Sequence, residues 1–226
     1  DRVLGARAAY YGLVTYLDEK IGRLLDAIET QGLADNTVVI YTSDHGESLG
    51  EHGLWRKMNF YEQSARVPLQ IAWPGVVSGG QRFQQAVSLV DLTATILDIC
   101  GVSTNEELDG CSLLPMILKE AVTCRDEAFV EMLAHGTDRP RAILRKGKWK
   151  LNYSHGNPPE FEVYDLAQDP GEFNNLAHAS ESMEIQELMF ARILQIWGDP
   201  DRLDNKIRNS QESRLLIRQV MGDASP

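Results

Sequence analysis

An aspartate and a histidine stand side by side at Asp44 and His45, with Gly46 after them and Lys57 further along the same polar stretch. A carboxylate and an imidazole supply one hard oxygen donor and one borderline nitrogen donor, the types that divalent cations accept. The compact ammonium of Lys57 can neutralise an anionic substrate oxygen while it stays protonated. Together the three residues can hold a cation and an anionic group at one place. The same residues have plainer uses. Asp-His-Gly is ordinary turn composition, a loop lysine is commonly solvated, and His52 reads as a loop histidine held by hydrogen bonds.

The elements around these residues decide whether they can converge. Thr37–Ser43 (TVVIYTS) is β-branched and almost continuously apolar, the pattern of a strand buried on both faces. Asp44 therefore stands at a strand exit, where either side chain can turn inward, and in open α/β sheets ligands bind beyond the carboxyl ends of strands. Upstream, Ala6–Gln31 reads as a helix, because Tyr10, Leu13, Leu17, Ile21, Leu24 and Ile28 recur at three- and four-residue steps. Gly32 stops it. A helix feeding a buried strand predicts an α/β sheet covered by helices. Asp44–Arg66 has no period and reads as a long polar loop. Val67–Gly75 reads as a second strand closed by a Pro-Gly turn. Ser88 and Asp91 have capping-box spacing before a short helix that ends at Gly101, and Ser112–Lys119 reads as another.

The texture changes near Thr123–Asp126. EAFVEML, RAILRKGKWKLNYS and EFEVYDL are short strand-like runs, with Gly147 placed for a tight turn and His135–Pro140 as a connection. They predict a small antiparallel sheet. Two helices close the chain. The first carries Ile185, Leu188, Ile193, Ile196 and Trp197 as a stripe. The second, Arg202–Met221, has few apolar positions and reads as a solvated arm or a subunit contact. The expected division is residues 1–122 as part of a large α/β domain and 123–226 as the small sheet with terminal helices.

Composition bounds the function. Twenty-two basic and 33 acidic residues leave the chain at −11 over 226 residues. That balance disfavours nucleic acid as a partner, which calls for a basic face. No apolar run approaches the ~18 residues of a membrane span. Cys100, Cys111 and Cys124 are odd in number and lack metal-site spacing, which argues against a disulfide scaffold and slightly for a cytoplasmic, reducing compartment. Cys100 lies in LTATILDICG and reads as core. The first residue is Asp, so a longer parent is expected, and a leader encoded upstream would change the compartment.

The stretch TSDHGESLGEHGLWRKMNFYEQSARVPL resembles the second metal-binding segment of the sulfatase family, within the alkaline-phosphatase superfamily. The resemblance extends on both sides. YYGLVTYLDEKIGRLLDAIE is similar to the helix before that segment, SLVDLTATILDICG to a later helix, and VYDLAQDPGEFNNLA to the motif near sulfatase carboxyl ends. It runs from about Ala9 to Ala177 in the family's order. ARVP after the lysine, VEMLAHG, AILRKGKWKLNYSH and DPDRLDNKIRNSQESRLL are most similar to choline-sulfatase-type enzymes.

The resemblance implies the carboxyl-terminal part of a sulfatase α/β sandwich plus a small antiparallel sheet with a packed helix. It implies that Asp44 and His45 ligate one divalent cation, calcium first, with manganese or zinc admitted by the imidazole where many members have Asn. It implies that Lys57 contacts the sulfate and stabilises charge on the transferring group. The family's nucleophile is a formylglycine made from cysteine within C-x-P/A-x-R. Cys111 is followed by SLLP and Cys124 by RDEA, so neither fits, and the formylglycine is expected upstream with the remaining metal ligands. The expected substrate is a small sulfate ester and the expected assembly a homo-oligomer. By itself the 226-residue piece is expected to be inactive, with Asp44 free to turn toward Lys57 or water. Phosphonate or phosphate monoester hydrolysis within the same superfamily, or a non-catalytic oligomerising module, are the alternatives.

Overall fold

The computed structural model describes residues 2–120, 125–133 and 137–221. It is mixed α/β and forms two compact units, Asp1–Arg125 and Asp126–Pro226.

The first unit opens with α1 (Arg2–Thr30), a long helix that ends where Gly32 takes positive φ. The periodic stripe forms a helix as expected, yet none of its described residues is buried. Strand β1 (Val39–Thr42) follows. After the loop come a single helical turn, α2 (Glu62–Ala65), and strand β2 (Leu69–Ala72). β1 pairs antiparallel with β2, Val39 opposite Ala72 and Thr42 opposite Leu69. This corrects the reading of Thr37–Ser43 as a strand buried on both faces. Among the described residues β1 has one hydrogen-bonded neighbour, and every residue in it remains half-buried. Two strands cannot cover both of their own faces.

Helices α3 (Val90–Ile99) and α4 (Leu114–Ile117) complete the unit. Half of the expected capping box forms, and the N-cap position falls at Leu89, without a side-chain cap. The Ser88 backbone N–H donates to Asp91 Oδ2 at 2.7 Å, while Asp91 Oδ1 accepts from the Cys111 N–H at 2.9 Å. Thr95 Oγ1 donates to the Asp91 carbonyl and accepts from the Leu113 N–H. These buried polar groups pin the segment that delivers Leu113, Met116 and Ile117 to a core shared with Leu69, Ile71 and Leu92. Two cysteine expectations are overturned. Cys100 is exposed, because it lies at the carboxyl end of α3 rather than on its inner face, and Cys111 is disulfide-bonded.

The second unit is a four-stranded antiparallel meander, β3 (Glu127–Met132), β4 (Arg141–Lys146), β5 (Trp149–Ser154) and β6 (Glu160–Asp165), in sequential order. Gly147, at φ +53°, turns β4 into β5. The expected connection at His135–Pro140 lies partly outside the described residues. Leu144, Leu151 and Val163 are opposite one another in register and lie on one face. Helix α5 (Met183–Trp197) covers that face with Met189 and Ile193. The α5 stripe differs from the expected one. Ile193 is buried and Ile185 and Trp197 pack against the core, but Leu188 and Ile196 are exposed and Met189 takes the central place. Met is flexible enough to fill irregular space in a core. Helix α6 (Pro200–Met221) follows, with Leu215, Leu216, Ile217 and Val220 exposed. No helix among the described residues is long and apolar enough to cross a membrane.

Candidate metal and substrate site

Strand β1 ends at Thr42, and within two residues the chain has to turn away from the sheet. Ser43 starts the turn by donating from Oγ to the His45 carbonyl at 2.9 Å. The His45 backbone N–H donates to Asp44 Oδ1 at 3.0 Å, a local contact that holds the carboxylate beside the imidazole. Gly46 then passes under α2, its N–H donating to the Ser64 carbonyl at 2.8 Å. The glycine of the Asp-His-Gly triplet is thus demanded by close backbone approach.

Lys57 arrives from the other arm of a stitched loop. The Ser48 N–H donates to the Arg56 carbonyl, the Gly50 N–H to the Leu54 carbonyl at 2.8 Å, and Asn59 Nδ2 to Ser48 Oγ at 2.7 Å. Leu49, Gly50, His52, Gly53 and Arg56 all have positive φ, so the loop is tightly wound. From α1, Arg7 donates Nε to the Leu49 carbonyl at 2.8 Å and pairs with Glu51 at 2.9 Å. His52 stacks flat on Tyr61 at 3.8 Å between ring centres.

Ser64 joins the two arms. Its carbonyl accepts from Gly46, and its hydroxyl donates to the Lys57 carbonyl at 2.6 Å. It is buried at 4% exposure. Sequence reasoning did not single it out, since a serine in a polar loop carries no signal until the fold brings its partners near.

The three expected residues come together. Lys57 Nζ is 2.7 Å from His45 Nε2, and His45 Nε2 is 3.4 Å from Asp44 Oδ2. The lysine therefore faces the imidazole, where the sequence suggested that Asp44 would turn toward Lys57 or water. His45 Nδ1 lies 2.8 Å from the Gly46 carbonyl, which can only accept. Nδ1 carries the proton by that assignment, which leaves the Nε2 lone pair for the lysine. Partial desolvation pushes the Asp44 carboxyl upward, but the neighbouring His45 ring, the His45 backbone N–H and the Lys57 ammonium outweigh it and hold it below the ordinary carboxylate value. Its side chain is 82% exposed, open to a ligand.

Two donor atoms 3.4 Å apart can share one cation at ordinary bond lengths of roughly 2.0–2.4 Å. The pair fits part of a coordination shell and no more. Among the described residues no group of three or more His, Cys, Asp or Glu side chains gathers to hold a metal. In the second unit a polar cleft of about 370 Å³ is lined by residues that include Arg139, His155, Asp201 and Arg208. Its charges are already satisfied, Arg139 by Asp138 and Glu160, His155 by Asp201, and Arg208 by Asp204.

Comparison with known proteins matches residues 50–199 to the family model described as N-sulphoglucosamine sulphohydrolase, C-terminal. The chain is 36% identical over 226 residues to a choline-sulfatase of Rhizobium meliloti (strain 1021), covering 98% of this chain and 43% of that protein. It is 36% identical over 229 residues to arylsulfatase K of Rattus norvegicus, covering 97% of this chain and 40% of that protein. Among solved structures it resembles the phosphonate monoester hydrolase of Agrobacterium radiobacter, with a TM-score of 0.72, 30% identity and coverage of 84% of this chain and 40% of that one. The chain thus spans about two-fifths of the length of the curated relatives it matches.

Proposed function

The chain belongs to the sulfatase family, in its carboxyl-terminal region, and on that premise we propose that it supplies one side of the active site of a metal-dependent sulfatase that hydrolyses a small sulfate ester. The observation that supports the proposal is the convergence of Asp44, His45 and Lys57, a carboxylate and an imidazole of the types that divalent cations accept beside an ammonium that can meet an anion.

Asp44 and His45 would hold a divalent cation through Oδ2 and Nε2, with calcium suited to the carboxylate and manganese or zinc to the imidazole. When bound, that cation supplies Lewis-acid polarisation of a sulfate oxygen. The Asp44 carboxylate, held below its ordinary pKa, stays ionised and ready to ligate through the neutral range. Lys57 binds the sulfate and offsets the charge that builds on the transferring group. The nucleophile is expected from outside this chain, as formylglycine, because neither Cys111 nor Cys124 sits in C-x-P/A-x-R. The chain alone is then inactive toward sulfate esters. The acidic balance of −11 suits a substrate whose leaving group is cationic, as in choline sulfate. We also propose a homo-oligomer that uses α6.

Phosphonate or phosphate monoester hydrolysis is the second reading, favoured by the likeness to the Agrobacterium radiobacter enzyme. The test joins this chain to the region that its relatives carry, and measures metal content and turnover of choline sulfate, an aryl sulfate and a phosphonate monoester. Asp44→Ala should lower both metal content and turnover, by on the order of a hundred- to a thousand-fold in rate or more. Lys57→Ala should keep the metal and lose rate. Full metal and normal turnover in Asp44→Ala would overturn the assignment, and preference for the phosphonate would select the second reading.

A further inference from the structure

We infer that Lys57 and the divalent cation compete for a single atom, His45 Nε2, so that the lysine is a placeholder in the metal site and becomes available to the substrate anion only when the metal expels it. The inference rests on the metal-site reading above and goes one step past it.

The argument starts from the imidazole. A neutral histidine has one ring N–H and one lone pair. Nδ1 faces the Gly46 carbonyl at 2.8 Å, and a carbonyl cannot donate, so the proton belongs on Nδ1 and the lone pair on Nε2. That lone pair is the only one the ring can offer to a metal. The Lys57 ammonium lies 2.7 Å from it and donates to it. A divalent cation on Nε2 would stand at about 2.0–2.1 Å from the nitrogen. Both occupants cannot use the same lone pair, and two positive charges so close would repel. Loading therefore requires the ammonium to leave.

The surroundings permit the exchange. Lys57 is exposed, and its anchorage is through the backbone, where Ser64 Oγ donates to its carbonyl at 2.6 Å. Its four-carbon stem can swing while the backbone stays fixed. Asp44, 3.4 Å from Nε2 through Oδ2, remains beside the imidazole for either cation. Metal loading and substrate binding are thus coupled: the ion that takes Nε2 releases the group that binds the anion.

The test uses this chain joined to the region that its relatives carry, with Mn²⁺ as the only added ligand, read by the signal of free Mn²⁺ in electron paramagnetic resonance. The wild type is compared with Asp44→Ala, Lys57→Met, Lys57→Gln, His45→Ala and the His45→Ala/Lys57→Met pair. Removing one charge-assisted hydrogen bond from the competitor should tighten Mn²⁺ binding by about tenfold or more in Lys57→Met. Lys57→Gln, which keeps a donor for Nε2 without the charge, should fall between. The gain from Lys57→Met should largely vanish in the His45→Ala background, since there is then no shared atom. A second readout is the His45 ring nitrogen resonance, which Lys57→Met should shift in the metal-free chain. Equal tightening with and without His45 would reduce the effect to plain charge repulsion and overturn the inference. Asp44-dependent Mn²⁺ binding that Lys57→Met leaves unchanged would overturn it too, with the metal site intact. Mn²⁺ binding indifferent to Asp44 in both wild type and Lys57→Met would overturn the metal-site reading itself.

Discussion

Gly46 lies so close to Gln63 that a β-carbon on it would collide with the Gln63 carbonyl oxygen. The obstacle is backbone, which cannot rotate aside as a side-chain tip would. The short approach lets the chain leave β1, present Asp44 and His45, and receive the Gly46 N–H bond to Ser64. Gly46→Ala must push α2 away from the turn. The expected outcome is a loss of about 1–3 kcal/mol in urea unfolding, the range for overpacking, together with loss of the His45–Lys57 contact. Unchanged stability and an unchanged His45 ring resonance would show that the turn is looser than this geometry requires.

Lys150 on β5 and Glu172 form an ion pair at 2.6 Å, with both side chains fully buried. Breaking such a pair by removing one partner strands a charge in the interior. Lys150→Met should cost about 3–5 kcal/mol in chemical unfolding. Adding Glu172→Gln removes the stranded charge and should recover part of that loss. A double variant less stable than Lys150→Met would contradict the argument.

Asp165 gives the second unit a defined acid limb. The hydrogen bond from Lys148 Nζ at 2.6 Å holds its carboxyl below the ordinary value, against the upward push of burial and with help from the Ala167 N–H. A carboxyl lowered in the folded state stabilises above its unfolded pKa of about 3.9, and the benefit is lost as pH falls through the lower folded value. The stability of the wild type should therefore fall on acidification below about pH 4, and Asp165→Asn should flatten that limb while costing stability at pH 7. Parallel acid limbs for the two proteins would refute the assignment.

Helix α6 leaves Leu215, Leu216, Ile217 and Val220 exposed near its end. If α6 is a subunit contact, deleting the residues after Pro200 should lower the mass measured by light scattering on the protein that carries the chain. An unchanged mass would leave α6 a solvated arm.

Periodicity and residue type by themselves determined much of this protein. The helix at α1, the strand before Asp44, the contact between Ser88 and Asp91 and the meander of the second unit are local patterns, and local patterns survive in a linear string. The three residues of the proposed site meet for a related reason: Asp44, His45 and Lys57 are close in sequence, within one loop. Tertiary structure decided the rest. Whether an apolar stripe is buried depends on what packs against it, so α1 forms as a helix with no buried residue, and α5 centres on Met189 instead of Leu188. The buried state of β1 could not be read from its apolar run, because burial on both faces needs neighbours that a composition does not name. Above all, Ser64 joins Gly46 to Lys57, and Lys57 chooses His45 over Asp44. Both follow from distances between atoms on different arms of a folded loop, a quantity that no spacing along the chain contains.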